Sequence, residues 1–219
     1  MGLVAIGDIH GCLKSFDRLW EQLQPSADDL VVFIGDYVDR GPRSRGVIDR
    51  MLELKETHQC VFLRGNHERF MMDYLQNGSI NLWNQNGGLA TLRSYGGGHR
   101  GARIPDEHAT FVRETELFYE TDEFFFVHAG LKPRLSVEKN KQRFDEDVFL
   151  WDRSHMEAST LKWEKTVVCG HTPQPDPVNR ERLIAIDTGC VYNMHPGLGR
   201  LTAVQLPERE FVSVAYADG

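Results

Sequence analysis

Val31-Val32-Phe33-Ile34-Gly35-Asp36-Tyr37-Val38-Asp39-Arg40-Gly41 is the stretch on which the reading of this chain turns. Four consecutive apolar residues read as a strand covered on both faces, and Gly35 ends the run where the backbone must turn closely. Asp36 and Asp39 therefore stand in a loop at a strand's carboxyl end, the edge at which open α/β sheets bind ligands. Two carboxylates beside the Arg40 cation suit a metal and a phosphate. A Gly-Asp pair after a strand is by itself an ordinary turn, so the weight rests on recurrence.

The device recurs along the chain. A strand over Leu3-Val4-Ala5-Ile6 ends in Gly7-Asp8-Ile9-His10-Gly11, and one over 60–64 ends in Gly65-Asn66-His67-Glu68. Glu123 to Val127 leads into His128-Ala129-Gly130, and Thr166 to Cys169 into Gly170-His171-Thr172. Between the first strands, Leu13, Phe16, Leu19, Trp20 and Leu23 recur at helical spacing before Pro25, which predicts a helix over 12–24. Val47, Ile48, Met51, Leu52 and Leu54 mark a second helix, and Phe70, Met71, Tyr74 and Leu75 a third that stops at Asn77-Gly78. This β-α-β order implies parallel pairing. Residues 79–101, with Trp83, Asn86 and a run of glycines, read either as a mobile or loosely helical insertion shaping substrate access or as a surface excursion. The charged stretch 132–147 reads as a solvated loop or helix, and further strands are expected at 183–186, 201–206 and 210–216. With no repeat or linker, the pattern alone predicts α/β with several parallel strands in one domain, 1–219.

A net charge of -7 argues against general binding to nucleic acid or an anionic membrane, although bound divalent cations would reverse the local field for an anionic substrate. No long apolar stretch suits a membrane span, and the short opening lacks the regions of a signal peptide, so a cytoplasmic location is expected. Cys12, Cys60, Cys169 and Cys190 form no Cys-x-x-Cys pair and read as reduced, mostly buried thiols.

The strand ends deliver Asp8, His10, Asp36, Asn66, His128 and His171. Asp8 and His10 lie two apart, so in an extended segment both face one side. Carboxylate, imidazole and amide donors without thiolate suit Mn, Fe, Zn or Mg. One histidine beside a strand is usually just a satisfied polar side chain; six such groups at strand ends are not explained that way.

These blocks in this order, from residue 3 to about 190, resemble the signatures of the PPP-type serine/threonine protein phosphatases of the calcineurin-like superfamily. The short chain and Trp151-Asp152-Arg153 are similar to the small bacterial and phage lambda-type members. The resemblance implies the metallophosphoesterase fold, a central β-sandwich of mixed sheets flanked by helices. It implies one metal held by Asp8, His10 and Asp36, and a second held by Asp36, Asn66, His128 and His171 with Asp36 bridging. Mn²⁺ leads for both ions, with Fe, Zn or Mg compatible. A hydroxide shared by the two ions would then attack phosphorus directly, without a phosphoenzyme. By the same resemblance His67 is the general acid oriented by Asp39, and Arg40 and Arg153 clamp the phosphoryl oxygens. Arg64 is a further candidate, although an arginine there equally forms a structural salt bridge.

The substrate so implied is a phosphorylated serine or threonine in a protein or peptide. The main alternative is a symmetrical bis(5'-nucleosyl)-tetraphosphatase acting on a small phosphorylated nucleotide. Ala185-Ile186-Asp187-Thr188-Gly189-Cys190 resembles that family, whose blocks usually lack counterparts of Asp39 and Arg64. Phosphodiesterases of the superfamily often carry Gly-His-x-His where this chain has Gly170-His171-Thr172-Pro173. A non-catalytic scaffold would have eroded ligands, and all are present.

Overall fold

In the computed structural model, which describes residues 2–219, the opening stretch forms strand β2 (Leu30–Phe33), flanked in parallel by β1 (Leu3–Ile6) and β3 (Gln59–Phe62). Antiparallel β9 (Arg200–Leu206) and β10 (Glu210–Ala215) complete a five-stranded sheet of order β10-β9-β1-β2-β3. The second sheet repeats the plan. Its parallel centre is β5 (Phe124–Val127), β6 (Thr166–Cys169) and β8 (Leu183–Ala185), edged by antiparallel β4 (Phe118–Glu120) and β7 (Val178–Arg180), in the order β4-β5-β6-β8-β7.

The two sheets pack face to face, and side-chain alternation explains why their central strands read as unbroken apolar runs. Val32, Ile34, Phe124, Phe126, Val168 and Ile184 meet between the sheets. Their neighbours Val31 and Phe33 turn outward onto α1 (Leu13–Leu23) and α2 (Ser44–Thr57), meeting Phe16, Val47, Ile48 and Met51. On the far side Phe125 and Val127 pack with Phe149 and Trp163. Each such buried side chain contributes roughly 1.5–3 kcal/mol of transfer free energy.

The remaining helices are α3 (Asn66–Asn77), α4 (Asn81–Gln85), α5 (Gly88–Ser94), α6 (Asp106–Glu114), α7 (Val137–Arg143) and α8 (Glu146–Trp151). The charged stretch 132–147 contains α7 and the start of α8. Segment 79–101 carries α4 and α5, which anchor on the core through buried Trp83 and Leu92 while Leu82, Arg93 and Arg100 are exposed. Helix α6 buries His108, Ala109, Phe111 and Val112 along one face, whereas strands β4 and β7 have three residues each, too few to show an alternation. Among the described residues no helix is long and apolar enough to cross a membrane.

Both parallel triplets end at the same edge. The His128 ring bonds the Ile34 carbonyl across the sandwich at 2.9 Å, joining the loops after β5 and β2.

Candidate active site

The loops at this shared edge are held in unusual backbone conformations. Of the non-glycine residues with positive φ, His10, Asp36, Asp39, Arg40 and His171 all lie here, leaving only Gln24 and Arg209 elsewhere among the described residues. Such conformations cost of order 1–3 kcal/mol each and persist only where surrounding structure enforces them. Glu68, at the start of α3, supplies much of that enforcement. Its Oε2 accepts the amides of Asp36 (2.7 Å) and Gly65 (2.9 Å), and its Oε1 accepts that of Tyr37 (2.9 Å). The loops after β2 and β3 are thereby stapled together. Gly65 is required by close approach, because a Cβ there would run into Asp36.

Two donor groups converge on Asp36. His10, Asp36 and His67 offer ligand atoms within 4.8 Å of one another, as do Asp36, His128 and His171. Backbone carbonyls fix the ring tautomers. His10 Nδ1 bonds the Val38 carbonyl (2.8 Å) and His128 Nδ1 that of Ile34 (2.9 Å), so both Nδ1 atoms carry the proton and both Nε2 atoms present lone pairs. His128 Nε2 then faces Asn66 Oδ1 (3.1 Å), His171 Nδ1 (3.2 Å) and Asp36 Oδ1 (3.5 Å). Asp8 receives the backbone amide of His171 at 3.0 Å and lies outside both groups. The alternation argument for Asp8 and His10 does not hold, since His10 has φ 46° and is not extended.

This electrostatic arrangement fits cations. Burial, with Asp187 and Asp36 nearby, pushes the Asp8 carboxyl well above its usual range. Burial likewise pushes Asp187 up to about 7, Asp36 adding to the effect while the Gly189 amide opposes it. Burial chiefly holds His10 and His128 below the usual imidazole range and takes His171, next to His128, down to about 2. Three neutral imidazoles thus face crowded carboxylates. His171 Nε2 is buried without a partner, and the Arg40 guanidinium donates to His10 Nε2, a positive charge where the donors call for one.

Beside the donors, His67 Nδ1 bonds Asp39 Oδ2 at 2.6 Å and leaves buried Nε2 unpartnered. Burial opposes a charge on His67, but Asp36 and Asp39 outweigh it and raise its pKa. Asp39 is held in turn by Trp83 Nε1, at 2.9 and 2.8 Å from its two oxygens, and by Thr91 Oγ1 at 2.6 Å. A cavity of about 200 Å³ opens over the site, lined by His10, Asp36, Asn66, His67 and His171 together with Arg40, Arg153, Trp151, Asn86, Asp187, Tyr192 and Pro173. Asp8, His128 and Asp39 support that lining from behind.

Arg64 is a correction. It lies outside the cavity lining, and its guanidinium bonds Thr115 Oγ1 (3.3 Å), the Thr115 carbonyl (2.8 Å) and Glu146 (3.5 Å), tying β3 to the segment after α6. Sequence reasoning named Trp83, Asp187 and Glu68 without giving them a place in the site, and passed over Thr91 and Tyr192. Asp187 could have been placed there, since Ile186-Asp187-Thr188-Gly189 repeats the strand-then-Asp pattern.

A model of the calcineurin-like phosphoesterases matches residues 1–196. A protein of Anoxybacillus flavithermus is 29% identical over 95% of this chain and 92% of its own length. One of Oceanobacillus iheyensis is 30% identical over 98% and 92%. Both are named bis(5'-nucleosyl)-tetraphosphatase PrpE, asymmetrical. A crystal structure assigned provisionally as a diadenosine tetraphosphatase superposes with a TM-score of 0.74 at 22% identity, over all of this chain and 95% of the other.

Proposed function

The chain belongs to the calcineurin-like phosphoesterases, which use a binuclear divalent metal centre, and from that premise we propose that it hydrolyses dinucleoside tetraphosphates asymmetrically, to a nucleoside monophosphate and a nucleoside triphosphate. What carries this reading is similarity along almost the whole chain to relatives named for that reaction. It replaces a phosphoprotein as the leading substrate, and it favours asymmetrical over symmetrical cleavage.

Asp8, His10 and Asp36 would hold one cation, and Asp36, Asn66, His128 and His171 the other. When bound, the pair supplies charge for the phosphoryl oxygens and a water made acidic enough to attack phosphorus. The chain's own groups do the rest. Arg40 and Arg153, both in the cavity lining, bind and orient phosphate oxygens. His67 presents Nε2 to the leaving oxygen, and Asp39 holds it protonated through Nδ1. Trp151 and Pro173 add apolar surface to the lining.

The Asp39–His67 pair favours a second reading, hydrolysis of phosphoserine or phosphothreonine. A nucleoside triphosphate leaves as a stable anion, whereas an alkoxide needs the proton that His67 carries. The test loads stripped protein with Mn²⁺ and compares diadenosine tetraphosphate with a phosphoserine peptide, resolving products by chromatography. AMP and ATP in equal amounts, formed faster than peptide phosphate is released, are expected. ADP as sole product, or a dominant peptide activity, would overturn the proposal. In His67→Asn the peptide rate should fall about 10²–10⁴-fold and the dinucleotide rate much less.

A further inference from the structure

The cavity over the donors does not end at Tyr192. Its wall of Arg40, Asn86 and Tyr192 is shared with a second, more open cavity of about 380 Å³, completed by Gln85, Gly87 and Val191. The guanidinium carbon of Arg40 sits 5.4 Å from the centroid of the Tyr192 ring, so the phosphate-binding cation and the aromatic surface are neighbours. Arg40 is also tied to the floor, its amide donating to the Gly87 carbonyl at 3.2 Å. Gly87 has φ 103°, and a Cβ there would lie 2.7 Å from Arg40 Cγ, so the floor stays bare backbone.

The polar rim is amide. Asn86 Nδ2 donates to the Leu82 carbonyl at 2.8 Å, which fixes the side chain and leaves its Oδ1 as an acceptor. Gln85 is exposed and, among the described residues, its amide makes no hydrogen bond within the protein, leaving donor and acceptor both available. A π surface with amide donors and acceptors at its edge is the chemistry that stacks and reads a nucleobase.

We propose that this second cavity is the nucleoside subsite, holding the base of the unit whose phosphate lies against Arg40. Tyr192 is its stacking surface, and Gln85 and Asn86 read the base edge. The inference rests on the dinucleotide reading and deepens it. Because the ring adjoins Arg40 itself, one phosphate separates a base seated there from the metal donors. The phosphorus attacked is then the one nearest that nucleoside. Water oxygen joins this phosphorus and sheds a proton to solvent, the bridging P–O bond breaks, a nucleoside monophosphate stays in the subsite, and the triphosphate leaves with the bond's electron pair.

The test is calorimetric titration of the full Mn²⁺-loaded chain with AMP, ribose 5-phosphate and inorganic phosphate. AMP is expected to bind at least tenfold more tightly than ribose 5-phosphate. Val191→Trp, which fills the cavity, should abolish that advantage, and Gln85→Ala should reduce it about threefold. Equal affinities for AMP and ribose 5-phosphate, or an AMP advantage that both variants retain, would overturn the subsite. The two readings fail separately. AMP preference without turnover of diadenosine tetraphosphate upholds the subsite and removes the dinucleotide reaction. Turnover to AMP and ATP without AMP preference does the reverse.

Discussion

Glu68 shows how much of this site rests on one side chain that touches no substrate. Four backbone amides from two loops converge on its carboxylate, that of Val38 the longest at 3.4 Å, and a carboxylate can accept them all. In Glu68→Gln one oxygen becomes an NH₂ group that must face an amide donor, leaving at least one buried N–H unpaired. The expected loss is about 1–3 kcal/mol of stability, read as a lower urea midpoint. Asp36, whose amide hangs on Oε2, should lose its fixed place, so Mn²⁺ affinity should fall as well. An unchanged midpoint with full metal affinity would show that the staple is incidental. Asp39 depends on its surroundings in the same way: with φ 74° and no exposure, it stays in position through Trp83, Thr91 and His67.

At the scale of elements, α4 and α5 act as scaffold for the Asp39–His67 pair. Trp83→Phe keeps an aromatic filler but removes the indole donor from both Asp39 oxygens. Stability should fall by about 1–3 kcal/mol, and phosphopeptide turnover about tenfold, with metal content unchanged. Full phosphopeptide turnover would mean that Asp39 needs no help from α4. Helix α1 offers a test in the other direction. Gln24, which caps its C-terminus, is exposed and left-handed, with φ 45°, a conformation that penalises any side chain and suits glycine. Gln24→Gly should raise stability by about 1 kcal/mol, seen as a higher melting temperature; a decrease would mean that Gln24 makes a compensating contact.

These elements also show what was legible in sequence. The central strands declare themselves because burial on both faces leaves no polar residue in Val31 to Ile34 or Phe124 to Val127, and each run ends at a donor. The bond from Trp83 to Asp39 has no such signature, because it joins residues 44 positions apart through packing alone. Arg64 reads the same in sequence whether it binds phosphate or Glu146. Asp8 and His10 share the site through a left-handed turn, which a period-two argument does not describe.

At the scale of the whole molecule, two parallel triplets deliver buried groups of one sign to a single edge, and the folded chain without cations must absorb the conflict. It does so by protonation. The histidines His10, His128 and His171, held below the usual imidazole range mainly by burial, are already neutral near pH 7 and have no proton to give up. Two of the carboxylates, Asp8 and Asp187, behave oppositely. Burial and neighbouring carboxylates raise Asp8 well above its ordinary range and Asp187 to about 7, so near neutral pH the cation-free protein holds a share of a proton at Asp187. A cation among these donors favours the charged carboxylates and must displace that proton. Mn²⁺ uptake by chelator-treated protein at pH 6.5 should therefore release up to about one proton from Asp187, measured as the slope of calorimetric enthalpy against buffer ionisation enthalpy. Apparent affinity should fall as pH drops below 7, about tenfold per pH unit for each proton released. In Asp187→Asn the release should shrink by the share that Asp187 holds. Metal uptake without proton release would mean that the carboxylates are already ionised, and that something other than protonation balances the charge gathered at this edge.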